Sequence, residues 1–290
     1  MERLVKAHLD HRRAWLDFDY CYPVISRRSR GVSLGVDLNP DKVCNFDCVY
    51  CEVDHLTPPR RRDVDVEQVV EEMATLLTLV ETGALFETGH FTSARPDQRR
   101  LNDIALSGNG EPTTAQAFAD VVERLADLKA ARGLTDVKLI LITNATRLQH
   151  PDVVRGIDRL MSAQGEIWAK LDMGLETAYK AINRSRVPFG RILENLRFAS
   201  QRWPLLIQTL LLSWRGQGPT DIEVDAYVQT LRELAGHGSH LQGVQLYTVA
   251  RPTPEPEARP LAAAELDRIG AQVKDALPHL AVDIFYGPEA

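Results

Sequence analysis

Three of the four cysteines in this 290-residue chain, Cys44, Cys48 and Cys51, fall within eight positions, in the run Val43–Cys51 (VCNFDCVYC). Thiolates spaced C-x3-C-x2-C on one loop can reach three corners of an iron–sulfur cube and leave the fourth iron without a protein ligand. An open position of that kind is what a catalytic metal needs, whereas a structural site is closed. The alternative is a zinc site completed by Cys21 or His55. The spacing is unlike the paired C-x2-C halves of common zinc modules. Cys21 stands apart from the triplet and reads as a buried structural thiol.

Other chemistry-bearing residues recur just after apolar runs. Ser107–Thr113 reads SGNGEPT. Its glycines let a ligand approach the backbone, and Glu111 adds a negative charge that suits an ammonium group. The run Leu141–Thr146 (LITNAT) brings Asn144, whose amide either hydrogen-bonds a ligand or caps a turn. Lys170 and Asp172 end another run. The Asp172 carboxylate can accept two hydroxyl hydrogen bonds, with an ion pair to Lys170 as the alternative.

The elements that must position these residues alternate strand and helix. Apolar β-type runs lie at 31–38, 103–107, 137–143, 166–173, 205–214 and 241–249, with a short closing strand at 282–286. Helical spacing lies between them, at 64–80, 114–131, 151–161, 191–202, 221–234 and 262–276. The segment Pro252–Pro260, rich in Pro and Glu, reads as a loop. Continuous apolar strands alternating with helices imply an α/β fold, a parallel sheet covered by helices. Six such units argue for a complete or partial barrel. In such sheets the chemistry sits beyond the C-terminal strand ends. The cysteine loop, Gly108–Glu111, Asn144, Asp172 and Arg251 all fall there.

Composition narrows the classes. The chain is 44% apolar and 26% charged, as an ordinary globular protein is. A net charge of -6 speaks against an extended nucleic-acid surface. Local basic clusters, Arg27, Arg28 and Arg30, then Arg60, Arg61 and Arg62, read as solvated loops or, alternatively, as a phosphate site near the cysteine loop. Residues 1–13 hold no apolar segment with a cleavage site, and no run reaches the roughly 18 residues of a membrane span. The expectation is a cytoplasmic protein whose thiols stay reduced, with no membrane partner.

Taken together, the motifs resemble those of the radical S-adenosylmethionine superfamily. VCNFDCVYC matches its cluster loop, including the aromatic Tyr50, and SGNGEPT its glycine-rich segment, with Asn109 in place of the second glycine of the GGE form. Ile182–Arg186 (INRSR) and Val244–Pro252 (VQLYTVARP) extend the similarity toward the branch that builds the tricyclic wyosine base of tRNA.

The resemblance implies a partial (β/α)6 barrel with parallel strands and outer helices, a core over 31–290 and an N-terminal extension over 1–30. It implies a [4Fe-4S] cluster on Cys44, Cys48 and Cys51, and S-adenosylmethionine as cofactor. Tyr50 would lie beside the adenine or simply pack under the loop. Gly108, Asn109, Gly110 and Glu111 would meet the methionine amine, Asn144 and Asp172 would bind the cofactor, and Tyr247 and Val249 would line the adenine pocket. Lys170, Gln208 and Arg251 are candidate substrate contacts.

The resemblance also implies reductive cleavage to a 5′-deoxyadenosyl radical that abstracts hydrogen from a substrate. An external electron donor of flavodoxin or ferredoxin type is then needed. The wyosine enzymes carry further cysteines ahead of the cluster loop, where this chain has Cys21 alone, so a single cluster is expected. With the acidic charge, this favours a small-molecule or peptide substrate over tRNA.

Overall fold

A computed structural model of the chain describes residues 15–287. The reading of residues 1–13, and the start of the N-terminal extension, lie outside the described residues. The chain folds as two compact units. One comprises residues up to Cys44, 55–142 and 150–166; the other comprises 45–54, 143–149 and 167 onward.

In the first unit, strand β1 (Cys21–Ser26) runs antiparallel to β2 (Gly31–Val36). Strands β3 (Leu101–Leu106) and β4 (Lys138–Thr143) continue it in parallel. The sequence patterns miss β1, which carries Pro23 in its middle. Helix α1 (Val66–Glu81) starts where Asp65 accepts the backbone N–H groups of Glu67 and Gln68, and it buries Val69, Met73, Leu76 and Leu77. Its buried Glu72 accepts the N–H groups of Asp19, Tyr20 and Cys21 at 2.8–2.9 Å, which fixes the entry to β1. The Cys21 thiol donates to the Val69 carbonyl, and burial pushes its pKa up. The thiol is thus buried, as the sequence reading expects. Helices α2 (Phe118–Ala131) and α3 (Pro151–Ser162) complete the unit. Of the basic clusters, Arg61 pairs with Asp19 at 2.8 Å, and Arg60 reaches it at 3.7 Å.

In the second unit, β5 (Gly165–Lys170) pairs in parallel with β6 (Leu205–Leu210) from Ile167 onward. The sequence run 205–214 is not one strand. It breaks at Leu211, and β7 (Leu212–Trp214) turns away to pair antiparallel with β9 (Ala258–Pro260). The break coincides with Arg215 and Gly216, both at positive φ, in the turn that follows. Strand β8 (Leu241–Tyr247) pairs in parallel with β6 and with β10 (Ala281–Phe285). Pro252–Pro260 therefore contains a strand as well as a loop. Helices α4 (Glu176–Ile182), α5 (Phe189–Ser200), α6 (Asp221–Leu234) and α7 (Ala263–Ala276) connect the strands. The α6 start carries a capping box, Thr220 with Glu223. Among the described residues, no helix is long and apolar enough to cross a membrane.

Asp103 on β3 is buried; one carboxylate oxygen accepts from the Ser33 hydroxyl and the other has no partner. Burial pushes its pKa up to about 6, against the pull of Ser33 and of more distant Arg28 and Lys138. The folded protein thus holds this proton more tightly than the unfolded chain does. Its contribution is full below the unfolded value of about 3.9 and is lost as pH rises through about 6. Chemical denaturation of Asp103→Asn should therefore show a stability gain over the parent that grows from pH 4 to pH 7, by up to about 3 kcal/mol. A difference that does not change with pH contradicts this.

Candidate active site

In the second unit, the part of the cysteine loop from Asn45 to Cys51 is clipped onto the end of α4. Asp47 N–H donates to the Asn183 carbonyl (3.1 Å) and Val49 N–H to the Ile182 carbonyl (2.9 Å). Ser185 donates its hydroxyl to the Asn45 carbonyl at 3.0 Å, and Phe46 meets the edge of Tyr179 with 5.6 Å between centroids. Cys51 N–H closes a turn on the Cys48 carbonyl at 2.9 Å. INRSR, read only as a mark of likeness, is thus the segment that holds the loop. Val49 shares an apolar cluster with Met173, Ile182, Leu210 and Val249, and Tyr50 and Tyr247 pack against it.

Asp172, two residues beyond β5, has no solvent-accessible side chain. Its Oδ1 accepts the Leu210 N–H and the Lys170 ammonium, each at 2.9 Å. Its Oδ2 accepts the Tyr50 hydroxyl and the Asn183 amide, the latter at 2.8 Å. Four donors meet the roughly four acceptor positions of a carboxylate. The ion pair is therefore formed, and a ribose hydroxyl would have to displace one of these donors.

The Lys170 ammonium also donates to the Tyr247 hydroxyl (2.6 Å) and lies 5.0 and 4.8 Å from the ring centres of Tyr50 and Tyr247. Burial opposes its charge, but Asp172 and Tyr247 raise its pKa above the usual lysine value. Burial, then Asp172, also lifts the Tyr50 hydroxyl well above its usual pKa. Asn183 reaches the Cys48 sulfur at 3.5 Å. Burial and the nearby Asp172 charge push the Cys48 thiol up to about 12, while Asn183 and Tyr50 pull it down.

Asn144 combines both readings given to it. Its Oδ1 caps a turn by accepting from Thr146, and its Nδ2 donates to Asn45 Oδ1 at 2.6 Å, so it also braces the cysteine loop. Asn195 on α5 holds that turn from behind, donating to the Ala145 and Thr146 carbonyls. Gln208 is fully buried on β6 and donates to Gln245 at 2.8 Å. Arg251 grips Glu52, the residue after Cys51, at 2.6–2.7 Å.

In the first unit, Gly108, Asn109 and Gly110 follow β3 and lie against the segment that leads to Cys44. A Cβ on Gly108 would collide with the Asp37 carboxylate, and one on Gly110 with the Val43 carbonyl and the Asn39 side chain. The glycines therefore answer to close approach of the chain itself. Asp37 accepts both the backbone N–H (2.9 Å) and the side-chain amide of Asn109. Glu111 is buried and turns its Oε1 onto Thr113, the hydroxyl at 2.6 Å. Asn39 donates to Thr114 at 3.2 Å while its buried Oδ1 has no partner.

The structure thus gathers Cys48, Tyr50, Lys170, Asp172 and Tyr247 in one unit, and the glycine-rich loop beside Val43 in the other. Sequence reasoning missed Asn183, Asn45 and Asp37. The signal for Asn183 was present in INRSR, and Asp37 stands at the end of the first expected strand.

The Lys170–Asp172 pair sets a stability test. Lys170→Met should cost about 3–5 kcal/mol because it leaves a buried carboxylate without its counterion. In urea unfolding, the double variant Lys170→Met/Asp172→Asn should cost less than the two single changes added, by about 0.5–3 kcal/mol. Strict additivity would show that the two groups do not interact.

The donor set suits an iron–sulfur cluster. Cys48 and Cys51, partly exposed and in no disulfide, stand on the loop that is fixed at several points in the second unit, with an amide aimed at the Cys48 sulfur; Cys44, likewise partly exposed and in no disulfide, belongs to the first unit.

Residues 38–231 match the Radical SAM superfamily. A UPF0026 protein of Synechocystis sp. is 26% identical over 247 residues, 77% of this chain and 82% of that protein. A UPF0026 protein of Helicobacter pylori is 27% identical over 196 residues, 66% of this chain and 54% of that one, so the chain spans about half of this second relative.

Among solved structures, TYW1 with a lysine-pyruvate adduct bound aligns with a TM-score of 0.53 at 16% identity, over 85% of this chain and 74% of that one. Streptococcus suis SuiB bound to S-adenosylmethionine aligns with a TM-score of 0.57 at 12% identity, over 89% of this chain and 52% of that one. These likenesses bear out the α/β fold of parallel strands and outer helices expected from the sequence. Because the family match spans about two thirds of the 290 residues and all three loop cysteines, the chain belongs to the Radical SAM superfamily, whose members use a [4Fe-4S] cluster and S-adenosylmethionine.

Proposed function

We propose that this protein is a radical S-adenosylmethionine enzyme with one [4Fe-4S] cluster on Cys44, Cys48 and Cys51, acting on a small molecule or peptide. The observation that carries the reading is the cysteine loop itself, held on the Ile182–Ser185 segment inside a region that matches the family. When bound, the cluster and cofactor supply reductive cleavage to methionine and a 5′-deoxyadenosyl radical, which takes hydrogen from the substrate.

The chain's own residues bind and orient. Gly108, Asn109, Gly110 and Glu111 receive the methionine amine, and Tyr50, Tyr247 and Val249 surround the adenine. Asn144 braces the loop beside the cofactor, while Asp172 serves the ribose or fixes Tyr50. Lys170, Gln208 and Arg251 are the substrate-side candidates. The electron comes from an external donor of flavodoxin or ferredoxin type in the cytoplasm.

A wyosine-type tRNA enzyme is the second reading, favoured by the fold likeness to TYW1. Stable binding of tRNA at physiological salt, followed by a modified base, would select it over the first.

The combined change Cys44→Ala, Cys48→Ala and Cys51→Ala should remove the visible cluster absorption and all formation of 5′-deoxyadenosine in reduced, anaerobically reconstituted protein. Zinc in place of iron and sulfide in the parent, or cleavage that survives in the triple variant, defeats the proposal.

A further inference from the structure

In the second unit, the Asn183 side chain reaches a loop sulfur. Its amide lies 3.5 Å from Cys48 Sγ, 3.3 Å from the Tyr50 hydroxyl and 2.8 Å from Asp172 Oδ2. It is buried, and its backbone is fixed on both sides: its N–H donates to the Tyr179 carbonyl at 2.8 Å, and its carbonyl accepts from Asp47 of the loop at 3.1 Å. An amide carries two N–H donors. With one directed at Asp172, the second is left to be shared between Cys48 and Tyr50. The side chain is thus oriented by a carboxylate, and the loop is brought to it by main-chain bonds.

We infer that Asn183 is a positioning residue that donates a hydrogen bond to the Cys48 thiolate and thereby sets how readily the cluster accepts its electron. The inference rests on the proposed cluster on Cys44, Cys48 and Cys51. Hydrogen bonds to the sulfurs of iron–sulfur clusters are a known lever on their reduction potential. The direction follows from charge. One-electron reduction adds negative charge to the cluster and its sulfurs, and an N–H aimed at a sulfur favours the more negative state. Removing the donor should make the cluster harder to reduce. Cys48 alone of the three thiols is seen to receive this amide, so the effect acts on one corner of the cluster.

The test is a redox titration of the reconstituted protein followed by electron paramagnetic resonance, with iron and sulfide measured in parallel. Asn183→Leu removes the donor, and Asn183→Asp keeps the shape while replacing the amide N–H by an acceptor. Both should lower the ratio of reduced to oxidised cluster at a fixed potential by about tenfold, a shift of about 59 mV for one electron. Ser185→Ala removes a loop anchor that touches no sulfur, and it should leave the potential where it is.

Unchanged potentials in both Asn183 variants overturn the inference. So does loss of iron from both, because Asn183 would then act only as an anchor of the fold. Absence of an iron–sulfur signal in the parent protein would instead defeat the cluster assignment itself, which separates the two failures.

Discussion

A carboxylate removed from solvent must be met by donors and positive charge, or it does not stay ionised. Asp172 is met by both: Lys170 and the Leu210 N–H on one oxygen, Tyr50 and Asn183 on the other. These four partners come from four places in the chain. Lys170 ends β5, Leu210 ends β6, Tyr50 belongs to the cysteine loop and Asn183 follows α4. One buried charge therefore sets the mutual positions of two strand ends, a helix end and the loop. Breaking such a group by removing one partner is far more costly than never having built it.

Lys170 extends the constraint to Tyr247, and Asn183 extends it to Cys48. The aromatic rings of Tyr50 and Tyr247 flank the ammonium, so two residues read as adenine contacts are also fixed by a cation. Orientation and electrostatics here come from the same few side chains. Side chains already held by such contacts carry a lower ordering cost of binding.

Most of the fold was legible in the sequence because its elements obey simple periods. The runs at 137–143 and 221–234 lie within a residue of the observed elements. What escaped obeys none. β1 holds Pro23, a residue that an edge strand tolerates and a pattern search rejects. α4 spans only 7 residues, about two turns. The break at Leu211 sits inside an unbroken apolar run and is decided by the pairing of β7 with β9, far along the chain.

In the site, residue type pointed to the cysteines, Lys170 and Asp172. It could not show that the glycines of SGNGEPT make room for Asp37 and Val43, or that Asn183 lies against a sulfur 135 positions away. Such contacts belong to tertiary structure alone.

The charged residues near the loop bear on the kind of substrate. Arg184 forms a two-point contact with Glu255 and lies over the Trp214 ring, and Arg251 is held by Glu52. An anion recognised by either guanidinium must first compete with a carboxylate already in place. A polyphosphate backbone draws its affinity from many unopposed cations. With these two arginines engaged and a net charge of -6 on the chain, that source of affinity is weak. The small molecule or peptide proposed above accords with this charge balance, since one carboxylate exchanged for another would suffice to hold it.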